Sequence, residues 1–484
     1  MIEFRNEPLT DFSKTENRQA MQAALEKVKS QFGREYLLIV GGEQIYTPQK
    51  IKSINPGNLE QIVGYVSQAD QTLADKAMAA AWHRFADRQF TDPCERAGYL
   101  FKAAAAMRRR KFEFANWMIY EVGKNWVEAD ADVAEAIDFL EYYGRESIRL
   151  HEAKQLVPYA GEDNRLTYIP LGVGIIIPPW NFPLAILVGT TVSAVVTGNT
   201  VLLKPASPSP IIAAKFVGLM EEIGLPPGVI NLVPGSGQEI GDFLVEHPKT
   251  RFISFTGSKE VGLRINERAA KTAPGQIWIK RLVAEMGGKD AIVVDESADP
   301  MEAAIGIVQS AFGFQGQKCS AGSRAIVHKN LYETVLEKVT ELTNSLQIGL
   351  PEENCPVGPV IDAQVYRKIL GYIEIGKTEG RLVTGGGKAN GPGYYIQPTI
   401  FADVKENARV MKEEIFGPVL AFCKADSFEH AVAIFNNTEY GLTGSLYSNS
   451  RPHLEYARKH MHCGNLYFNY LLLFTQAKVV SERL

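Results

Sequence analysis

From Leu171 onward the sequence alternates short runs of β-branched and aliphatic residues with longer runs of helical spacing, and this rhythm constrains the chain more than any single motif. It predicts a strand over 173–177, a helix over 183–196, a strand over 200–203 and a helix over 211–223. Further strands are expected at 229–233 and 251–255, each ending at a glycine turn that opens a helical stretch. Strands alternating with helices imply a parallel sheet covered by helices. Ligands of such sheets sit at the carboxyl ends of the strands, which places Pro179, Trp180, Asn181, Lys204, Gly257 and Ser258 around one crevice.

A mostly helical stretch over 71–146 precedes this unit. A second alternation follows Glu285, with strands at 291–294 and 325–328 and helices at 301–312 and 331–345, giving a second α/β domain. At 484 residues the chain exceeds the roughly 250–300 at which single cores stop growing, so more than one core is expected.

The net charge of -4 offers no basic field for nucleic acid or anionic lipid, so the expected partners are small molecules. The longest apolar reach, 171–203, is broken by Pro178, Pro179 and Pro183 and reads as strand, turn and helix rather than a membrane span. Residues 1–22 carry no export or import pattern. Five unpaired cysteines suggest neither disulfides nor zinc, and a cytoplasmic compartment is expected.

Cys319 lies in Gly313-Phe314-Gln315-Gly316-Gln317-Lys318-Cys319-Ser320-Ala321-Gly322. A free cysteine reads either as a small buried hydrophobe or as a nucleophile. The flanking glycines permit close approach of a ligand, and Lys318 is expected to favour the thiolate. Glu285, in Ala284-Glu285-Met286-Gly287-Gly288-Lys289-Asp290, is either a surface carboxylate at a domain junction or a general base. Pro178-Pro179-Trp180-Asn181-Phe182-Pro183 is either a rigid turn or a rigid mount for the Asn181 amide, a donor suited to an oxyanion.

Phe255-Thr256-Gly257-Ser258-Lys259-Glu260-Val261-Gly262 joins a strand end, a glycine turn and a helix N-terminus, a place that suits a pyrophosphate. Gly235-Ser236-Gly237-Gln238-Glu239-Ile240-Gly241 has one residue too many for the dinucleotide fingerprint and reads as a strand-to-helix turn. Lys204 is expected to be exposed at the sheet edge, as a ribose or phosphate contact or as an ordinary surface lysine.

Taken together and in this order, these stretches, with Glu413-Glu414-Ile415-Phe416-Gly417-Pro418, resemble the aldehyde dehydrogenase superfamily. Glu121-Val122-Gly123-Lys124-Asn125-Trp126, Pro274-Gly275-Gln276 and Gly464-Asn465-Leu466-Tyr467-Phe468-Asn469 look like its pyrroline-5-carboxylate dehydrogenase branch. The resemblance implies oxidation of glutamate γ-semialdehyde to glutamate in proline degradation. In that reaction Cys319 is the nucleophile, Glu285 the base, and Asn181 with the Cys319 N–H the oxyanion hole.

For the cofactor it implies Pro179, Trp180, Phe255 and Gly257 in the crevice, Lys204 and Ser207 at the adenosine ribose and Ser258 at the pyrophosphate. Glu414 is implied at the nicotinamide ribose and Phe416 near its ring. Serine at 207 leaves both NAD and NADP open. Ser320 is implied at the substrate carboxylate, with Lys318, Phe182 and Glu135 around the semialdehyde.

The implied architecture is a Rossmann-type dinucleotide-binding domain over 1–146 and 170–285 and an α/β catalytic domain over 286–469. A small β-flap over 147–169 and 470–484, with its second strand near 471–480, implies a homodimer or higher homo-oligomer. One departure stands out. The family continues after Asn469 through a glycine-rich segment that anchors the substrate carboxylate, whereas here Asn469 joins Tyr470 directly. Two alternatives follow: an enzyme for another aldehyde, or a relative deficient in turnover.

Overall fold

The computed structural model describes residues 3–152, 154 and 156–472. A first seven-stranded sheet is built from Leu38–Val40 (β1), Glu43–Ile45 (β2), Val173–Ile177 (β3), Thr200–Leu203 (β4), Ile230–Leu232 (β5), Phe252–Thr256 (β6) and Arg281–Glu285 (β7). Its spatial order is β7-β6-β3-β4-β5-β1-β2. Strands β3 to β7 run parallel, and β1 is antiparallel to both β5 and β2.

From β3 the chain order proceeds through β4 and β5 to one side and through β6 and β7 to the other. The order therefore reverses between β3 and β6, and the loops leaving their carboxyl ends, Pro178 onward and Gly257 onward, border the switch-point crevice. Successive side chains of β3 and β4 feed different cores. Val173, Ile175 and Leu202 pack with Ala74, Ala77 and Met78, while Ile176, Val201 and Leu203 pack with Leu184, Val188 and Val192. Burial on both faces explains why these strands read as unbroken apolar runs.

The second sheet contains Asp290–Val294 (β8), Gly322–His328 (β9), Arg381–Thr384 (β10), Thr399–Ala402 (β11), Val419–Ala425 (β12), Thr443–Tyr447 (β13) and Asn465–Phe468 (β14). The order is β10-β11-β12-β9-β8-β13-β14, with only β10 antiparallel to its neighbour among these described strands. A three-stranded sheet of Arg34–Tyr36, Ile62–Ser67 and Lys50–Ile54 completes the strand inventory of the described residues.

The predicted elements from 171 to 345 are all present, with ends moved by up to three residues. Strand β7 was not foreseen, because Arg281 and Glu285 bracket an edge strand whose Val283 is exposed, so its pattern lacks the apolar run of a central strand. The stretch 71–146 divides into four helices, ending with Trp126–His151 (α1). The first residues of the expected flap, 147–151, are helical. Helix α1 continues to His151, since the Ser147 hydroxyl donates to the Val196 carbonyl at 3.2 Å and anchors this turn to the helix Ala185–Val196 (α2). The described residues of 152–169 form no strand. Of the second flap segment, residues 473–484 lie outside the described residues.

Candidate active site

Glu285 ends β7 and Asp290 begins β8, so the chain crosses from one sheet to the other through Met286, Gly287, Gly288 and Lys289. Gly288 packs against backbone and admits no side chain, while Gly287 leaves room for the Glu414 carboxylate. A Cβ on Gly287 would lie 2.2 Å from Glu414 Oε1, and one on Gly288 would lie 2.1 Å from the Cys319 carbonyl oxygen. The Gly288 N–H donates to Glu414 Oε1 at 3.0 Å. The crossing thus presses Glu414, the strand of Glu285 and the backbone of Cys319 together.

Cys319 follows a tight turn, Gly313–Gly316, in which Phe314 (φ 48°, ψ 40°) and Gln315 (φ 54°, ψ 30°) are left-handed and Gly316 has φ 66°. That backbone costs a non-glycine residue roughly 1–2 kcal/mol. It persists where surrounding contacts over-determine it, as they do here. The Gln315 amide accepts from Gly358 N–H at 2.7 Å and donates to the Pro359 carbonyl at 3.1 Å. Gln317 Oε1 accepts from Ile361 N–H at 2.9 Å. Gly316 admits no side chain, because its Cβ would meet the Gly417 carbonyl at 2.4 Å.

The proline-rich turn after β3 delivers Asn181 to this loop. Its Nδ2 donates to the Gln317 carbonyl at 3.0 Å, and a primary amide has a second N–H to offer. Cys319 is buried. Burial drives its thiol far above the ordinary cysteine range, and the carboxylates of Asp290, Glu285 and Glu414 push the same way against the Ser320 N–H. Lys318 and Cys319 favour each other's charged forms, as expected, but burial outweighs this coupling at the thiol. Burial lowers the Lys318 ammonium's own pKa, and the carboxylate of Glu128 is the largest influence opposing that fall. The resting group is a thiol that needs a base, and burial raises the carboxyl of Glu285 as a base poised nearer neutral pH requires.

Around the switch point, Lys204 is buried rather than exposed, since β4 is a central strand covered on both faces. Burial brings its ammonium down to about 8, and it has no ion pair among the described residues. Ser207 is exposed. Ser258 caps the helix Lys259–Ala270, its Oγ accepting from Val261 N–H, and Gly257 N–H donates to the Glu285 carbonyl at 3.1 Å. Phe255 is buried beneath Gly257, whose Cβ would meet its ring at 2.6 Å. Trp180 stands edge-on to Phe416 at 5.6 Å, and Phe416 has φ 60°. A buried cation without a counter-ion among the described residues, a capped helix N-terminus and the Glu414 carboxylate fit the ribose hydroxyls and pyrophosphate of a dinucleotide.

Glu135 Oε1 and Ser320 Oγ are buried without hydrogen-bond partners among the described residues. Burial, with Asp132 beside it, pushes Glu135 up to about 8. Phe182 lies under the ammonium of Lys124, 4.1 Å from its ring centre. A cavity of about 540 Å³ opens beside Glu285, walled by Phe139, Gly189, Thr190, Leu442 and Asn465. Of the expected site residues only Glu285 and Phe255 line it; Ser320, Lys318, Phe182 and Glu135 do not.

Sequence reading missed Lys124, Glu128 and Asp132 as neighbours of the site. Lys124 pairs with Asp132 at 2.9 Å, Asp132 accepts from Ala185 N–H at 2.6 Å, and the Glu128 carboxylate accepts from Phe314 N–H. The one available signal was the capping box Asn125-Trp126-Val127-Glu128, which marks a helix start but not what the helix touches.

The Aldehyde dehydrogenase family model matches residues 45–479. The 1-pyrroline-5-carboxylate dehydrogenase of Geobacillus kaustophilus is 56% identical over 509 aligned positions, covering 99% of each chain. That of Bacillus subtilis is 57% identical over 469 positions, covering 97% of this chain and 91% of the relative. The solved structure of a 1-pyrroline-5-carboxylate dehydrogenase from Thermus with bound NAD is similar with a TM-score of 0.97 at 51% identity, covering 98% of this chain and 92% of the other.

Proposed function

The chain belongs to the aldehyde dehydrogenase family, and on that premise we propose that it oxidises L-glutamate γ-semialdehyde, the open form of 1-pyrroline-5-carboxylate, to L-glutamate in proline degradation. The observation that carries the mechanism is the bond from Asn181 to the Gln317 carbonyl, which sets an amide donor beside the loop of Cys319. Glu285 takes the proton of the Cys319 thiol, and the sulfur attacks the aldehyde carbon. The second Asn181 N–H and the Cys319 N–H hold the resulting oxyanion. Bound NAD, or NADP, supplies the acceptor for the hydride that leaves as the oxyanion collapses to a Cys319 thioester. Glu285 releases the first proton to solvent and then takes one from water; hydroxide attack on the thioester carbon breaks the C–S bond, releases glutamate, and the sulfur regains a proton as the thiol.

On this reading Lys204, Ser207 and Ser258 hold the adenosine ribose and pyrophosphate, with Pro179, Trp180, Phe255 and Gly257 shaping the crevice. Glu414 holds the nicotinamide ribose and Phe416 packs near the ring. The Ser320 hydroxyl, unpartnered among the described residues, receives the substrate carboxylate, with Lys318, Phe182 and Glu135 around the aldehyde chain. Residues 1–146 with 170–285 bind dinucleotide, 286–469 carry the catalysis, and 147–169 with 470–484 join subunits.

Assembly is a homodimer or larger. Val157, Tyr168 and Ile169, with Ile277 and Ile279, expose apolar surface that a second copy would cover. No helix among the described residues is long and apolar enough to cross a membrane, and the five cysteines are free, which supports a cytoplasmic compartment.

A second reading rests on chain length. The match to the Geobacillus relative spans 509 positions against 484 residues, so at least 25 positions of that relative have no counterpart here. After β14 the chain turns at Asn469 (φ 50°) and runs straight to Leu472, whose N–H donates to Ser310 Oγ at 2.9 Å. A shortened substrate wall would favour another aldehyde or abolish turnover. Reduced-nicotinamide formation with NAD separates the readings: preference for 1-pyrroline-5-carboxylate over simple aliphatic aldehydes supports the first. The reverse order, or cofactor binding without turnover, supports the second.

A further inference from the structure

Three consecutive residues before the nucleophile, Phe314, Gln315 and Gly316, are left-handed, and two of them are not glycine. A backbone of this kind relaxes unless something outside the loop holds it. Gln315 and Gln317 are held by the main chain of 358–361. The first left-handed residue has a different restraint, from the N-terminus of α1. Its N–H donates to Glu128 Oε1, while Glu128 Oε2 accepts from Asn125 N–H at 3.4 Å within the capping box. From the same region, the Lys124 ammonium sits 4.5 Å from the Phe314 ring centre and 4.1 Å from that of Phe182.

Glu128 is half-buried, and the ammonium groups of Lys124 and Lys318 offset the rise in its pKa that desolvation causes. A carboxylate divided between a helix cap and a strained loop exceeds what capping requires, since the Asn125 side chain already receives the Glu128 N–H at 3.0 Å.

We propose that Glu128 is a positioning residue for the reaction: through Phe314 it locks the left-handed turn that presents Cys319 and keeps the Gln317 carbonyl in register with Asn181. It touches neither aldehyde nor dinucleotide. Its effect is on how often the Cys319 sulfur and the Asn181 amide are aligned at once. Small displacements of such groups are expensive, and a misplacement of about 1 Å lowers rates by as much as 10²-fold. The inference rests on Cys319 being the nucleophile, but not on which aldehyde is oxidised.

The test compares Glu128→Ala and Glu128→Gln with the unaltered full chain. Three readouts are taken: kcat and KM for aldehyde and NAD, the rate of Cys319 alkylation by iodoacetamide followed by intact mass, and the melting temperature. Glu128→Ala is expected to lower kcat roughly 10- to 100-fold with KM for NAD changed less than about threefold, and to alter Cys319 alkylation in parallel. Glu128→Gln keeps an oxygen for the Phe314 N–H and is expected to recover part of that loss. Wild-type kcat and alkylation in folded Glu128→Ala would overturn the proposal, as would a change confined to KM for NAD. If Glu128→Ala does not fold, Glu128→Gln decides. Its amide cannot accept at both Phe314 and Asn125, so an intermediate fall in kcat at an unchanged melting temperature supports the proposal and an unchanged kcat overturns it. Alkylation needs no aldehyde, so a wrong substrate assignment leaves that readout intact.

Discussion

Asn181 and Gln317 are joined across 136 residues by a single hydrogen bond, from the side-chain amide of one to the main-chain carbonyl of the other at 3.0 Å. Asn181 belongs to the loop leaving β3 of the first sheet, and Gln317 to the loop entering β9 of the second. The bond fixes the proposed oxyanion donor, on a loop of the first sheet, relative to the loop of the proposed nucleophile at the second, and four predictions follow from the proposed site and its surroundings.

Asn181→Ala removes the donor and releases the Gln317 carbonyl. Loss of one oxyanion donor lowers kcat by about 10²–10³-fold, or ~2.7–4 kcal/mol. Steady-state rates at saturating NAD measure it, and a variant within about threefold of the unaltered chain would remove Asn181 from the oxyanion hole.

Glu285→Gln stops proton removal and thioester hydrolysis, with an expected fall in rate of roughly 10²–10⁴-fold. Burial raises the Glu285 carboxyl above its ordinary value, so the protonated, inactive form persists to higher pH than for a free carboxylate. Activity therefore falls on the acid side as pH drops through that raised value. The acid limb is read from the pH profile of kcat/KM. An acid limb at the position of an exposed glutamate would contradict the assignment.

Lys204 loses its proton near pH 8 because it is buried. Its pKa is lowered, so the charged form dominates below that value and is lost above it. NAD affinity should weaken as pH rises through about 8, and Lys204→Met should weaken it roughly 10- to 100-fold at pH 7 while flattening the pH dependence. Titration of NAD by fluorescence quenching at several pH values is the check, and a parallel dependence in the variant would place the effect elsewhere.

Lys124 and Asp132 form a buried ion pair at 2.9 Å. Lys124→Met leaves the carboxylate without its cation, at about 3–5 kcal/mol of folding stability. Adding Asp132→Asn should recover part of that loss. Urea unfolding of the two variants measures both numbers. Equal stability of Lys124→Met and the parent chain would mean that Ala185 N–H alone satisfies Asp132.

Much of the fold was legible because it is written in local periodicity. Residues 173–177 and 200–203 read as strands since each face of a central strand needs an apolar partner, and 183–196 read as a helix for the same reason at a different period. Strand β7 was not legible, because an edge strand exposing Val283 has no such demand on one side. Cys319, Glu285 and Asn181 were visible as candidates because glycines that let the backbone turn tightly, or prolines that stiffen it, surround them, which is also a local property.

The chemistry of those candidates was decided elsewhere. Local pattern was enough to specify two α/β units, the glycine pair at Gly287-Gly288 between them, and which side chains the crevice and the nucleophile loop would offer. Three further features waited on the folded arrangement: burial raises the Cys319 thiol, Lys204 is buried without an ion pair among the described residues, and the Glu128 carboxylate accepts from a left-handed turn 186 residues away. Propensity and period depend on neighbours in the chain, whereas burial, charge proximity and backbone strain depend on neighbours in space, and folding alone brings those together.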